Sequence, residues 1–239
     1  MSAAPPAADE KARYVKRMFG AIAPRYDLLN HLLSAGVDRR WRKAAVERLD
    51  WEGAPGGIYL DACAGTLDLS LELEWRSGFE GTVVGSDFSL PMLARGQGKL
   101  EGSGVQPLCA DTLRLPFSDE TFDGALVGFG VRNLAALDAG LKELARVLKP
   151  GARLVILEFT TPPRQPLRSL YLLYFRYLLP LIGKLVSRHG EAYSYLPASV
   201  LEFPEPEELA ERMTHAGFRS PRWELRTGGI AALHWGERE

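Results

Sequence analysis

The stretch that most constrains the fold runs from Tyr59 to Asp87, which reads as a strand, a small-residue turn, a helix and a second strand ending in an acid. Ile58, Tyr59 and Leu60 run apolar into Asp61, Ala62-Cys63-Ala64-Gly65-Thr66 makes a tight turn, and Leu67 to Leu73 begins a helix. Thr82-Val83-Val84-Gly85-Ser86-Asp87 closes the unit, with Gly65 and Asp87 22 positions apart. At that separation a turn glycine and a strand-end carboxylate hold the two ends of one adenosine-type ligand. Turns of this kind usually carry three glycines, whose missing side chains let backbone approach the ligand and let helix pack on strand. Here Cys63 and Leu67 flank the single Gly65. Alone, the turn fits an ordinary strand-to-helix loop equally well, so the rest of the chain must decide.

Both sides of this unit have readable periodicity. Val15, Met18, Phe19 and Ile22 recur at helical spacing behind Asp9, a suitable cap, and Pro24 interrupts that helix. A second short helix through Leu28, Leu29, Leu32 and Leu33 ends near Gly36, and a third begins at Asp38 and carries Trp41, Ala45 and Leu49 inward. After Asp87 come a helix near Leu90 to Leu100, a strand from Gln106 to Ala110 and a buried strand from Phe122 to Phe129. Leu137, Leu141, Leu144, Ala145 and Leu148 mark one helix face, Lys149-Pro150-Gly151 is its stop, and Arg153 to Phe159 is the next strand. Pro204 to Gly217 is helical. Trp223 to Thr227 and Ile230 to Trp235 then straddle Gly228-Gly229, a two-residue hairpin turn.

Strands alternating with helices specify a parallel sheet covered on both faces. Seven mostly parallel strands ending in an antiparallel hairpin make an α/β, Rossmann-like architecture that resembles the class I S-adenosylmethionine methyltransferases; a plain dinucleotide-binding fold would lack the antiparallel strand. The expected organisation is a disordered tail over 1–8 and one domain over 9–239. Within that domain, 9–50 form a helical cover and 160–203 a helical insertion on the substrate side.

The 239 residues, 46% of them hydrophobic, suit one substantial core. Lys plus Arg (29) nearly balance Asp plus Glu (30), which removes the basic field of a general nucleic-acid binder. Cys63 and Cys109 form neither a CxxC nor a Cys/His cluster, so no disulfide framework or metal site is expected, and a reduced, cytoplasmic setting fits. Cys109 reads as a buried core residue. Met1 to Ala8 lack the basic and apolar segments of a secretory signal.

More specific signatures lie outside the turn. Phe19-Gly20-Ala21-Ile22-Ala23-Pro24-Arg25-Tyr26-Asp27 is followed by Asn30, Ser34, Gly36 and Trp41, and further on stand Gly128-Phe129-Gly130-Val131-Arg132-Asn133 and Arg146-Val147-Leu148-Lys149-Pro150-Gly151. Leu157-Glu158-Phe159, Pro180-Leu181-Ile182-Gly183-Lys184, Tyr193-Ser194-Tyr195-Leu196, Ser199 and Gly228-Gly229-Ile230-Ala231-Ala232-Leu233-His234 continue the pattern. Together they resemble the ubiquinone and menaquinone biosynthesis C-methyltransferases over nearly everything after the tail. Members of that family transfer a methyl group from S-adenosylmethionine to a ring carbon of a prenylated quinol. The resemblance implies that Thr66 lies beside the methionine part of the cofactor, that Asp87 binds the ribose hydroxyls and that Asp111 with Thr112 flanks the adenine. It implies Asp61, Gly65, Phe88 and Gly128 as further cofactor contacts, and Phe129, Asn133, Tyr174 and Tyr193 as substrate contacts. Gly128 stands where many relatives have serine, which removes one polar contact.

The chemistry of such a transfer asks for few groups. The electrophile comes with the cofactor, so the protein must align reactants and exclude water. Ring carbon becomes a good nucleophile only when an ortho phenol, of pKa near 10, loses its proton, which calls for a base or a cation favouring phenolate. Arg132 can supply the charge, and Tyr26, Asp27, His31, Tyr193 and Tyr195 are candidates for handling the proton. Each has a plainer reading: Asp61 and Asp87 as helix caps, Arg132 paired with Asp27 to hold the cover shut, and the tyrosines as packing residues with wet hydroxyls. His189, His215 and His234 are read as structural or exposed.

Leu167 to Val186, the most apolar region, is interrupted by Arg168, Arg176 and Lys184, which makes a membrane span unsuitable, and within it the run from Leu170 to Leu179 is too apolar for a solvated helix. It reads either as a dimer or core helix, or as the wall of a channel for an isoprenoid tail at a membrane surface, with Arg164, Arg168, Arg176 and Lys184 meeting headgroups. Three functions follow: a peripherally membrane-associated quinol methyltransferase, alone, as a homodimer or in a quinone-biosynthesis complex; a methyltransferase for another phenolic or lipidic acceptor; and a non-catalytic quinone-binding subunit.

Overall fold

The structure, a computed structural model, describes residues 8–23, 36–178 and 190–239, the side chains at 8, 9, 178 and 190–194 excepted. The expected helix at Leu28 to Leu33 lies outside them, as do Tyr26, Asp27 and His31.

Helices α1 (Ala8–Ile22) and α2 (Val37–Arg48) precede β1 (Ile58–Ala62). The alternation then runs α3 (Asp68–Glu74), β2 (Thr82–Asp87), α4 (Leu90–Gln97), β3 (Gln106–Cys109), β4 (Phe122–Gly128), α5 (Leu137–Val147) and β5 (Leu148–Phe159). Helix α6 (Leu167–Leu173) continues into a π-helical turn at Tyr174–Leu178, and α7 (Gly190–Leu201) and α8 (Pro206–His215) lead to β6 (Phe218–Arg226) and β7 (Ala231–Arg238).

The seven strands form one sheet in the order β3-β2-β1-β4-β5-β7-β6, parallel except at β7, which is antiparallel to both neighbours. The expected architecture is the observed one. Strand β1 pairs with β2 on one side and β4 on the other, so the chain reverses its winding there and leaves a crevice at the strands' carboxyl ends. Successive residues serve opposite faces, as the strand period of two requires. Leu60, Val127 and Ile156 pack with Leu141, Leu144 and Leu209, while Tyr59, Leu126 and Val155 pack with Trp41, Ala45 and Leu69. Burial on both faces is why these strands read as continuous apolar runs.

Several expectations need correction. The first helix begins at Ala8, so Asp9 lies inside it and not before it. Helix α5 ends at Val147 and Lys149-Pro150-Gly151 already belong to β5, because Leu148 pairs with Phe122 before the register shifts and Arg153 pairs with Gly124. The hairpin turn is not two residues long: Thr227–Gly229 form a short 3-10 turn in which all three residues have positive φ. Cys109 is exposed, since β3 is an edge strand with little packed over its side chains.

Candidate active site

The turn after β1 carries its unusual residues by packing Leu67 into the core and Cys63 into the cleft wall. Cys63, Gly65 and Leu67 alternate through the left-handed region at φ 57°, 56° and 67°. Such backbone costs about 1–2 kcal/mol per side-chain-bearing residue, which explains the usual glycines. Compensation comes from glycines elsewhere. Leu67 is fully buried in the core, and a Cβ on Gly85 or Gly96 would come within 2.4 or 3.0 Å of its methyl carbons. A Cβ on Gly130 would lie 2.3 Å from that of Cys63. The turn thus keeps its shape because three neighbouring segments make room. Burial pushes the Cys63 thiol up to about 12, so it stays neutral beside the Thr112 hydroxyl at 3.4 Å.

Three parallel strands end in buried carboxylates: Asp61 on β1, Asp87 on β2 and Glu158 on β5. Asp87 accepts the Gly65 N–H on one oxygen and the Ser89 N–H on the other, each at 2.8 Å, which ties the turn to the start of α4. Each oxygen keeps a free lone pair. Asp61 accepts the Ser70 hydroxyl at 2.6 Å through Oδ2, while Oδ1 is buried without a partner among the described residues. Burial raises the pKa of Asp61 to about 7 and also raises that of Asp87. This corner of the protein favours a positively charged guest.

A cleft partly open to solvent lies at the crevice. Gly65, Asp87, Phe88, Asp111, Thr112, Gly128, Phe129 and Asn133 line it, while Asp61 and Thr66 are buried and do not line it. Asp111 is exposed at the rim, its Oδ1 accepting the Leu113 N–H, and Thr112 is buried.

Beyond β4, Phe129 takes φ 58° and leads into a 3-10 turn at Val131–Asn133. The bend aims its carbonyl at two donors, Arg132 Nη1 at 2.5 Å and Asn133 Nδ2 at 3.2 Å. Arg132 Nη1 also meets Glu158 Oε1 at 2.6 Å, with both side chains nearly inaccessible. Burial raises the pKa of Glu158, and the Arg132 charge opposes that rise. The guanidinium lies 5.4 Å over the Phe159 ring, which packs with Phe129 and Trp41. Lys11 of α1 donates to the carbonyls of Arg132 and Leu134, fastening the helix over this loop.

The model of the ubiE/COQ5 methyltransferase family matches residues 7–238. The chain belongs to that family. As a member it is an S-adenosylmethionine-dependent C-methyltransferase of quinone biosynthesis. It is 51% identical over 224 residues to the demethylmenaquinone methyltransferase of Thermus thermophilus, covering 92% of this chain and all of the relative. With the ubiquinone/menaquinone biosynthesis C-methyltransferase UbiE of Geobacter sulfurreducens it shares 46% identity over 233 residues, 96% of this chain and 90% of that protein. A solved SAM-dependent methyltransferase from Thermotoga maritima superposes with TM-score 0.64 at 19% identity, over 94% of this chain and all of that one, a likeness of fold.

The residues of this methyltransferase suit the cofactor. Gly65 and Asp87 line the cleft, Asp87 has free lone pairs for hydroxyls, and the buried orphan oxygen of Asp61 suits a cationic group. Tyr195 reaches the cleft-lining Asn133 by donating to its Oδ1 at 3.1 Å. Tyr174 is half-buried and packs at the margin of the cluster around Tyr171 and Phe175. Tyr193 lies on α7, but its side chain is outside the described residues. Arg132 pairs with Glu158, while Asp27, its expected structural partner, lies outside the described residues. Sequence reasoning missed Glu158 as a site residue, although Val-Ile-Leu-Glu-Phe, an acid closing an apolar strand, repeats the signal of Asp61 and Asp87. It also missed Met92, Cys63, Phe19 and Ala12 of the cleft wall, which carry no polar signature.

Proposed function

We propose that this enzyme methylates a ring carbon of a prenylated naphthoquinol or benzoquinol, with Arg132 beside the reacting ring. The observation that carries the reading is the buried Arg132–Glu158 pair next to the cleft wall, where Phe129 links the two. A cation there stabilises negative charge on a ring oxygen, and excluded water strengthens it. Bound S-adenosylmethionine supplies the methyl electrophile. Asp87 holds the ribose, Asp61 faces the ammonium end, and Asp111 with Thr112 borders the adenine. Glu158 fixes the guanidinium so that its remaining N–H groups face the acceptor. The cofactor, held by Asp87 and Asp61, would give up its methyl group to the ring carbon with the bonding pair left on sulfur, and the proton displaced from that carbon would pass to solvent. Incubation with reduced and oxidised demethylmenaquinone and methyl-labelled cofactor tests this. Label must enter the quinol and not the quinone; labelling of the quinone at an equal rate would sink the phenolate scheme.

No helix among the described residues is long and apolar enough to cross a membrane. The outer face of α6 and its π turn nevertheless exposes Leu170, Leu173 and Tyr177 at helical spacing, at 60%, 57% and 63%. Arg164 and Arg176 are exposed nearby, which favours an anionic lipid surface over a second copy of the chain. This face brings a cytoplasmic enzyme to the prenyl tail of its substrate. Leu170→Asp/Leu173→Asp should abolish co-flotation with anionic vesicles; unchanged flotation would discard the contact.

A further inference from the structure

Two buried donors near the proposed acceptor site have no hydrogen-bond partner among the described residues. They are Nε of Arg132 and the hydroxyl of Tyr171, on residues 8% and 6% exposed. Native proteins satisfy most buried polar groups, so two orphans in one neighbourhood call for an explanation. Tyr171 lies on α6 with its ring 4.2 Å from that of Phe175, in a cluster against which Phe159 and Tyr195 pack. Phe159 also carries the Arg132 guanidinium on its face. The charges of both Arg132 and Glu158 act on the Tyr171 hydroxyl. Among the neighbouring tyrosines, Tyr195 already donates its hydroxyl to Asn133.

Resting on the proposed quinol reading, we propose that Tyr171 is a catalytic residue whose hydroxyl, together with Arg132 Nε, donates to the ring oxygen that becomes phenolate. Burial holds the Tyr171 hydroxyl far above an ordinary phenol, so it remains a neutral donor and does not act as the base. A neutral donor beside a fixed cation suits an oxygen that gains charge as its proton leaves, because both interactions strengthen with that charge. Among the described residues neither donor has a partner, a cost that a purely structural tyrosine would have no reason to carry.

Tyr171→Phe removes one oxygen and keeps the ring. The expected result is a fall in kcat of about 10- to 100-fold, as for losing one donor to a charged group, with cofactor affinity unchanged. The acidic limb of the kcat profile should move up by about one pH unit, since the bound phenol ionises less readily. The melting temperature should hold or rise, because an unpaired buried hydroxyl has gone. A kcat within twofold of wild type, or a loss accompanied by lower thermal stability and an unshifted profile, overturns the assignment. A second readout separates this from the substrate reading. If wild type labels no quinol yet lowers the pKa of bound 4-nitrophenol, followed by absorbance, and Tyr171→Phe does not, the donor pair stands and the quinol assignment falls. Equal nitrophenol pKa values in both proteins also overturn the pair.

Discussion

The turn after β1 and the loop after β4 meet at the same crevice, and both force side chains into left-handed backbone, yet they are held in opposite ways. Cys63 and Leu67 are accommodated by apolar packing against segments that have surrendered their own side chains at Gly85, Gly96 and Gly130. Phe129 is held by polar grip, its carbonyl bound by Arg132 and Asn133 and the arginine bound in turn by Glu158. Packing tolerates graded change, whereas a buried ion pair fails abruptly when one member is lost. The first loop is thus held in shape by close packing, and the second by a buried ion pair.

The largest expected effect comes from breaking the grip. Arg132→Ala should cost about 3–5 kcal/mol of stability, because Glu158 is left buried and unpaired. The pair-deleting variant Arg132→Met/Glu158→Leu should recover most of that stability and none of the activity. Arg132→Lys should rescue turnover only in part, since lysine lacks the planar fork that holds Phe129 O and Glu158 together. Methylation by Arg132→Ala at near wild-type kcat would return the arginine to a structural role. Urea unfolding with single-turnover assays measures both sides.

Next in size is the packing of the turn. Leu67→Gly relieves about 1–2 kcal/mol of backbone strain but empties a fully buried leucine site, worth about 3–5 kcal/mol, so the net should be destabilising. The side chain points into the core, and cofactor affinity in the folded fraction should stay the same. Gly85→Ala should also destabilise by about 1–3 kcal/mol, because its new methyl meets Leu67. Combined, the two changes should cost clearly less than their sum. Strict additivity in a double-mutant cycle would show that Gly85 does not make room for Leu67.

These contrasts explain what could be read in the chain beforehand. The sheet was legible because doubly buried strands such as Ala125-Leu126-Val127 leave no polar face, and Asp87 was legible because a carboxylate closing such a run is conspicuous. Glu158 carried the same mark and went unread because its role depends on Arg132, 26 positions away and brought near only by the pairing of β4 with β5. Tyr171 gave still less signal, standing in an apolar run with three other aromatic rings, where only burial singles out one hydroxyl. The length of the hairpin turn escaped because Thr227 takes positive φ, which its residue type does not suggest.

Asp87→Ala should weaken S-adenosylmethionine binding by about 1.5–3 kcal/mol, the loss of hydrogen bonds to a charged group. Part of that loss would come through the turn, since Asp87 also holds the Gly65 N–H. Asp87→Asn separates the two, because its one remaining carbonyl oxygen can serve either the backbone or the ribose. Calorimetry that found either variant binding like wild type would remove Asp87 from the cofactor site.

The smallest effect is a pH dependence that distinguishes the cradle from the charged loop. Burial raises Asp61 to about 7 in the folded protein, above its unfolded value, so its ionisation opposes folding. The sign follows from linkage: the folded state binds the extra proton, and stability declines as pH rises from about 4 to about 7. A cationic ammonium beside Asp61 favours the ionised form and reverses that preference in the complex. Cofactor binding should therefore release a proton at pH 6, strengthen as pH rises toward 7 and level off above it. Ser70→Ala removes a hydrogen bond that favours the carboxylate, so the plateau should begin at higher pH. Isothermal titration in two buffers of different ionisation enthalpy counts the protons. If none is released at pH 6 and affinity is flat from pH 5.5 to 8, Asp61 does not face the ammonium and acts only through Ser70 on the shape of the turn.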